Sequence, residues 1–180
     1  IAHVGLISAG IFSANQQGIQ GAIMQMLAHG VNVVGLFFIA DILMRHTGTR
    51  DIDKLGGIRS MNGNFAVLFL IILLGSVALP LTNGFVGEFL LINGVYQYNA
   101  VIAAFAGLTV ILGAVYMLRS YQKIMLGERN DSNLAFGPLA STDKAVLIII
   151  CITVIAFGVY PKPLNDIAEE SAKQILMNLK

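Results

Sequence analysis

The stretch "ALPLTNGFVGEF", residues 78–89, decides how this chain folds. It sets one carboxylate, Glu88, inside a run that is otherwise empty of charge. No Asp, Glu, Lys or Arg occurs from Ser60 to Gly87, and none from Phe89 to Leu118. The apolar block around it, Phe65 to Tyr98, has 34 residues. As one helix it would measure about 51 Å, against a hydrocarbon core of roughly 30 Å. Pro80 removes a backbone donor and crowds the preceding turn. Thr82, Asn83 and Gly84 follow, all poor in a helix interior. The block is therefore expected to form two half-helices, about 65–79 and 85–98, with Pro80, Asn83 and Gly84 marking unwound backbone between them. Bare peptide groups at that depth need protein or water around them, and such breaks often line ion pathways.

The whole composition agrees with lipid as the solvent. The chain of 180 residues is 56% hydrophobic, with a mean hydropathy of +0.77. Only 12% of residues are charged, against roughly 25% in an ordinary soluble domain. Five apolar blocks follow one another: Ile1–Phe12, about Gly18–Met44, the interrupted Phe65–Tyr98, about Ala100–Leu118, and Ala145–Tyr160. These predict an all-α polytopic helix bundle with one broken helix. The opening "IAHVG" has no Met, basic n-region or cleavage site, and is expected to begin partway through a helix of a longer protein.

Two connections are basic, with Arg45, Arg50, Lys54 and Arg59 in the first and Arg119, Lys123, Arg129 and Lys144 in the second. The connections 13–17 and 92–100 have no Lys or Arg. By the positive-inside rule the basic loops are expected in the cytoplasm and the tail outside. The tail "LNDIAEESAKQILMNLK" puts Leu164, Ile167, Ala168, Ile175, Leu176 and Leu179 near one helical face. Either an interfacial amphipathic helix or a helix packed on a neighbouring subunit fits that pattern.

Three titratable residues fall at one depth. His3 lies 10 residues before Ser13, His29 lies 11 after Gly18, and Glu88 lies 10 before Tyr98. At the helical rise each is roughly 15 Å from the outer face, the level of the bilayer midplane. A charge there costs roughly 2.5–3.5 kcal/mol on insertion scales, so its retention points to work done. Gln25 and Asn32 extend a polar stripe on the helix of His29, where water can lodge. Imidazole can take a proton on one nitrogen and release it from the other. The residue types thus point to a proton relay, with the working order His3, His29, Glu88. A scaffold reading, in which these groups only join helices, predicts that Glu88→Leu is harmless.

Other chemistries lack support. The net charge of +1 gives no case for nucleic acid. No metal site is expected, because the histidines are 26 and 17 residues apart and Cys151 is the single cysteine. His46, beside Arg45, reads as an interfacial residue. No nucleophile–base set or dinucleotide fingerprint appears.

"AHVG", "GAIMQMLAHGVNVVGLFFIADIL", "HTGTRDIDKLGGI" and "LPLTNGFVGEF" closely resemble the proton-channel subunits of respiratory complex I, those of the M type (subunit 4 in mitochondria) above all. The resemblance runs through essentially the whole chain and is least specific in the tail. It implies an inverted-repeat, antiporter-like fold. Residues 1–126 would be a partial second repeat: truncated helix, spanning helix, broken helix, spanning helix. Residues 127–180 would be a cytoplasmic loop, the last spanning helix and the amphipathic tail. Glu88 stands where the family has an acid on its broken helix, and His29 and His3 match its histidines on the two preceding helices. The implied role is a membrane-embedded proton-translocating subunit of NADH:quinone oxidoreductase, in the bacterial inner (plasma) membrane. This chain would bind no cofactor and do no redox catalysis. NADH, flavin, iron–sulfur clusters and quinone would belong to partner subunits, and its neighbours would be other membrane-arm subunits and lipid. The alternative is a subunit of a multi-subunit cation/proton antiporter or a membrane-bound hydrogenase.

Overall fold

The computed structural model describes residues 1–128 and 136–178. Arg129, Leu179 and Lys180 fall outside the described residues. Among the described residues eight α-helices follow in order: α1 Ala2–Phe12, α2 Gln16–Thr47, α3 Ile58–Met61, α4 Gly63–Ser76, α5 Asn83–Tyr98, α6 Ala100–Tyr121, α7 Ser141–Val159 and α8 Lys162–Asn178. A short 3₁₀ turn, Ile52–Lys54, precedes α3, and α6 runs on as a π-helical turn over Gln122–Leu126. No strand occurs among the described residues. Among the described residues three helices are long and apolar enough to cross a membrane: α2, α6 with its π turn, and α7.

α2 is the axis of the bundle. The side chain of Asn15 accepts from Gly18 N at its start, and Gly48, left-handed at φ 69°, closes its end. α5 crosses it where glycines let the backbones approach. A methyl on Gly94 would sit 2.4 Å from Gly18 N, and one on Gly21 would sit 2.6 Å from Leu91 N. Small residues at such crossings are how apolar helices associate without a hydrophobic driving force. The main core joins the second half of α2 to α4 and α7 through Ile39, Ile42, Phe65, Ile72, Leu147 and Val154. A smaller core of Leu6, Ile7, Ala22 and Leu91 fixes α1.

Both basic connections lie at one end. Arg45 on α2 pairs with buried Asp143 on α7 at 3.0 Å, and Lys123 pairs with Asp53 across the two connections. His46 gives its Nδ1 to a contact with Ile42 O and packs its ring on Phe136. At the other end Asn15 donates to Gly94 O, and Gln17 accepts from Asn93 and Gln97. The two connections without Lys or Arg thus meet at the end opposite the two basic ones.

The break is displaced from its expected place. α4 stops at Ser76 and α5 begins at Asn83, so Val77–Thr82 is the non-helical segment. Pro80 lies in it, but Asn83 and Gly84 are the first residues of α5. Extended Thr82 is the cap, and Gly84 packs so near α4 that a methyl there would meet Gly75 O at 2.3 Å. Gly84 thus serves close approach of the half-helices, whereas the turn itself is made by Ala78 (φ 54°) and Leu81 (φ 74°). Non-glycine residues rarely adopt that conformation, at about 1–3 kcal/mol each. α7 braces it: a methyl on Gly158 would meet Leu81 O at 2.2 Å.

The tail makes a contact that neither expected placement named. α8 packs on α2 of its own chain, burying Ala168 and Ala172, while Gln16 donates to Glu169 and Gln20 to Asn165. Ile167 and Ile175 remain exposed. The small residues make the closest contact, Leu164 and Leu176 are half-buried, and Ile167 and Ile175 are left outside.

Candidate functional site: a polar axis at the broken helix

Pro80 creates the site four residues upstream of itself. In a continuous helix the carbonyl of Ser76 would accept from the amide of residue 80, and proline has none. His3 takes that carbonyl instead, with Nε2 at 3.1 Å from Ser76 O. The same Nε2 lies 3.1 Å from Oε1 of Glu88, which is 4% exposed. Ser76 O can only accept, so His3 carries its proton on Nε2 when it makes this contact.

α2 supplies the other side. A methyl on Gly87 would lie 2.8 Å from the backbone of Gln25, so α5 rides directly on α2 at this point. That brings Gln25 Nε2 to 3.2 Å from Glu88 Oε1. One turn later His29 sets its ring 5.1 Å from the ring of His3, tilted by 34°. Among the described residues no hydrogen bond or ion pair joins His29 to Glu88, so the contact order is His29, His3, Glu88. This corrects the working order, which had His29 in the middle. The reason is packing: α1 inserts His3 between α2 and the break, a placement that depth along each helix cannot reveal.

Glu88 is the sixth residue of α5, not a first-turn residue as a start near 85 implied. The helix dipole acts mainly within the first turn, so its help to an anion here is small. The direct contacts are what hold the carboxyl. Its Oε2, with Gln25 Oε1, Asn32 Oδ1 and Asn83 Oδ1, is buried without a protein partner. A small cavity of ≈ 10 Å³ adjoins Glu88, His3, Ser76, Thr109 and Tyr116. That is about the space one water occupies. Asn83 reaches back to α2, donating to Ala28 O at 3.4 Å. Among the described residues no set of three His, Cys, Asp or Glu side chains is placed to hold a metal.

Sequence reasoning missed Ser76 as a participant. Its signal was present, since Ser76 is four residues before Pro80, the place where a proline orphans a carbonyl. Thr109 and Tyr116 gave no signal, because α6 reads as a uniformly apolar span.

Fold and site together define a polytopic membrane bundle organised around a broken helix whose buried acid touches histidine. The family model described as "NADH:quinone oxidoreductase/Mrp antiporter, TM" matches residues 1–113. The chain belongs to that family. It is 40% identical over 178 residues to NADH-quinone oxidoreductase subunit M of Rickettsia typhi, covering 98% of this chain and 36% of the relative. It is 35% identical over 181 residues to NADH-ubiquinone oxidoreductase chain 4 of Arabidopsis thaliana, covering 100% and 37%. The chain thus spans little more than a third of the relatives it matches. Among solved structures, respiratory complex I from Thermus thermophilus contains a chain that matches with a TM-score of 0.85 and 33% identity, over 95% of this chain and 37% of that one. A chain of the Mrp complex from a Dietzia species matches at a TM-score of 0.83 with 19% identity, over 94% and 40%, and shares the fold.

Proposed function

We propose that this chain is the C-terminal part of an M-type subunit of a proton-pumping NADH:quinone oxidoreductase, set in a bacterial inner membrane beside other membrane-arm subunits. Its part in the reaction is to move protons. Electron transfer from NADH, and the flavin, iron–sulfur clusters and quinone it needs, belong to partner subunits. The single observation that carries the reading is the contact series from His29 through His3 to Glu88, with Gln25 on the far side of the carboxyl.

Each group has a task. Glu88 stores the proton, because it is the buried acid that His3 and Gln25 both reach. His3 hands protons on, because its Nε2 already faces the carboxyl. His29 feeds His3 through ring rotation or a water at the ring edge. Pro80 and the cap at Thr82 keep Ser76 O free for His3. The acid lies against the α6-side cavity, which gives the relay an outlet toward the outer side or a neighbouring subunit.

The test is Glu88→Gln in the full-length subunit, assembled in its complex and reconstituted into vesicles. Proton uptake per electron should fall sharply while the complex assembles and still oxidises NADH. Unchanged coupling would remove Glu88 from the mechanism.

A further inference from the structure

We infer that the cleft between α3 and the π turn, at the basic-loop end, binds the headgroup of an anionic phospholipid, with Arg59 on its phosphate and its acyl chains laid along α6. This site requires α6 to span a membrane and is independent of the relay.

α3 packs on the π turn, and between them opens a cleft of ≈ 500 Å³. Gly57, Arg59, Ser60, Met125, Leu126 and Gly127 line it. That volume falls within the roughly 300–1,000 Å³ of small-ligand sites. Met125 is a fully buried floor, and Leu126 is an exposed rim. Gly57 and Gly127 leave two stretches of the wall without side chains. Arg59 and Ser60 supply the polar groups.

The charges at this end single out Arg59. Arg45 holds Asp41 and Asp143, Lys54 holds Asp51, and Lys123 holds Asp53. Arg59 makes no ion pair or side-chain hydrogen bond among the described residues. Its guanidinium is a planar fork of five donors, the side chain best shaped for a phosphate. Ser60 gives its hydroxyl hydrogen to Gly57 O at 2.7 Å. Its oxygen is left as an acceptor, which suits a headgroup that carries hydroxyls, such as glycerol. Glu128 follows Gly127 and is exposed, so its carboxylate weakens the attraction.

Two features select a lipid over a free anion. Leu126 is the last residue of the span formed by α6 and its π turn, so the cleft sits at headgroup level. Along α6, Leu108, Ile111, Val115 and Leu118 recur at helical spacing and are all exposed. From Leu108 to Leu118 this stripe rises about 15 Å, half of a roughly 30 Å hydrocarbon core. Arg119, next to Leu118, is also exposed and adds a second positive charge. A basic group near the surface draws anionic lipid by about fivefold in affinity.

The experiment uses the full-length subunit in its assembled complex, held in phosphatidylcholine nanodiscs with a trace of phosphatidylglycerol that carries a photoreactive acyl chain. Mass spectrometry reads the labelled peptides. Labelling within 108–118 is expected. Added phosphatidylglycerol should compete it away, and inorganic phosphate should not. Phosphatidylcholine with the same photoreactive chain should label several-fold less. Arg59→Ala should lower the labelling about fivefold. Arg59→Lys should lower it less, because the charge stays and the fork goes. Glu128→Gln should raise it. Arg50→Ala, in the same connection but outside the cleft, is the control and should leave it unchanged. Four results would each overturn the site: competition by inorganic phosphate, equal labelling by phosphatidylcholine, full labelling in Arg59→Ala, or no labelling because another polypeptide covers α6.

Discussion

His3 Nε2 stands 3.1 Å from Glu88 Oε1 and keeps the same distance from the carbonyl of Ser76, which the proline of the break has released. One imidazole therefore links the structural defect to the buried acid. His29 meets that imidazole ring to ring at 5.1 Å and makes no hydrogen bond or ion pair with Glu88 among the described residues.

That order ranks the two histidines. His3→Ala should reduce proton translocation more than His29→Ala, because it removes the direct partner of Glu88 and leaves Ser76 O without a donor. His29→Ala opens a space that water can fill beside His3. Proton uptake per electron in vesicles, compared for the two variants at equal assembly, checks this. An equal or reversed ranking would contradict the order.

Leu81 holds a left-handed conformation at φ 74°. Leu81→Gly removes its steric cost of about 1–3 kcal/mol and adds roughly 0.5–1 kcal/mol of unfolded-chain entropy. The net is a gain of about 1 kcal/mol in stability, read as a higher thermal midpoint of the detergent-solubilised subunit. A lower midpoint would show that the Leu81 side chain, though 68% exposed, contributes packing that outweighs the strain.

Gly94 touches backbone, not side chain. A methyl there would lie 2.4 Å from Gly18 N and 2.5 Å from Gly18 Cα, neither of which can turn away. Gly94→Ala should therefore force α2 and α5 apart at a cost of about 1–3 kcal/mol or more. Gly107→Ala, with nothing within 4 Å of the new atom, is the control and should be neutral. Yield of assembled complex and its thermal midpoint separate the two.

At the basic end, a hydrogen bond from Lys123, and then its charge, hold the Asp53 carboxyl below its ordinary value. A depressed carboxylate adds stability above its unfolded value of about 3.9. That part is lost as pH falls through the lower folded value. Thermal midpoints taken from about pH 6 down to about pH 3 should drop more for the wild type than for Asp53→Asn. The pair is solvent-exposed, so added salt should shrink the difference.

Much of this architecture was legible because lipid leaves few options. The length of the Phe65–Tyr98 block and Pro80 gave the broken helix, and the cost of burying charge singled out His3, His29 and Glu88. What stayed hidden depends on side-on packing. Depth along a helix places three residues at one level but cannot say which stands between the others. Ala78 and Leu81 are residues that avoid left-handed backbone, so nothing in their identity marks the turn they make. Asn83 and Gly84 read as breakers by propensity, yet the first turn of a helix tolerates both, and tertiary contact with Gly75 puts them there. In α8 the expected apolar face included Ala168, which is buried, but Ala172 joins it there while Ile167 and Ile175 stay exposed.

The central claim is that Glu88 changes protonation as the complex turns over. Infrared difference spectra of the assembled complex, with and without turnover, read this through the carboxyl C=O stretch. The relay predicts a band that disappears in Glu88→Gln and shifts in His3→Ala, because His3 Nε2 stands 3.1 Å from that carboxyl. A wild-type spectrum with no such band, or a band that survives Glu88→Gln unchanged, would contradict it.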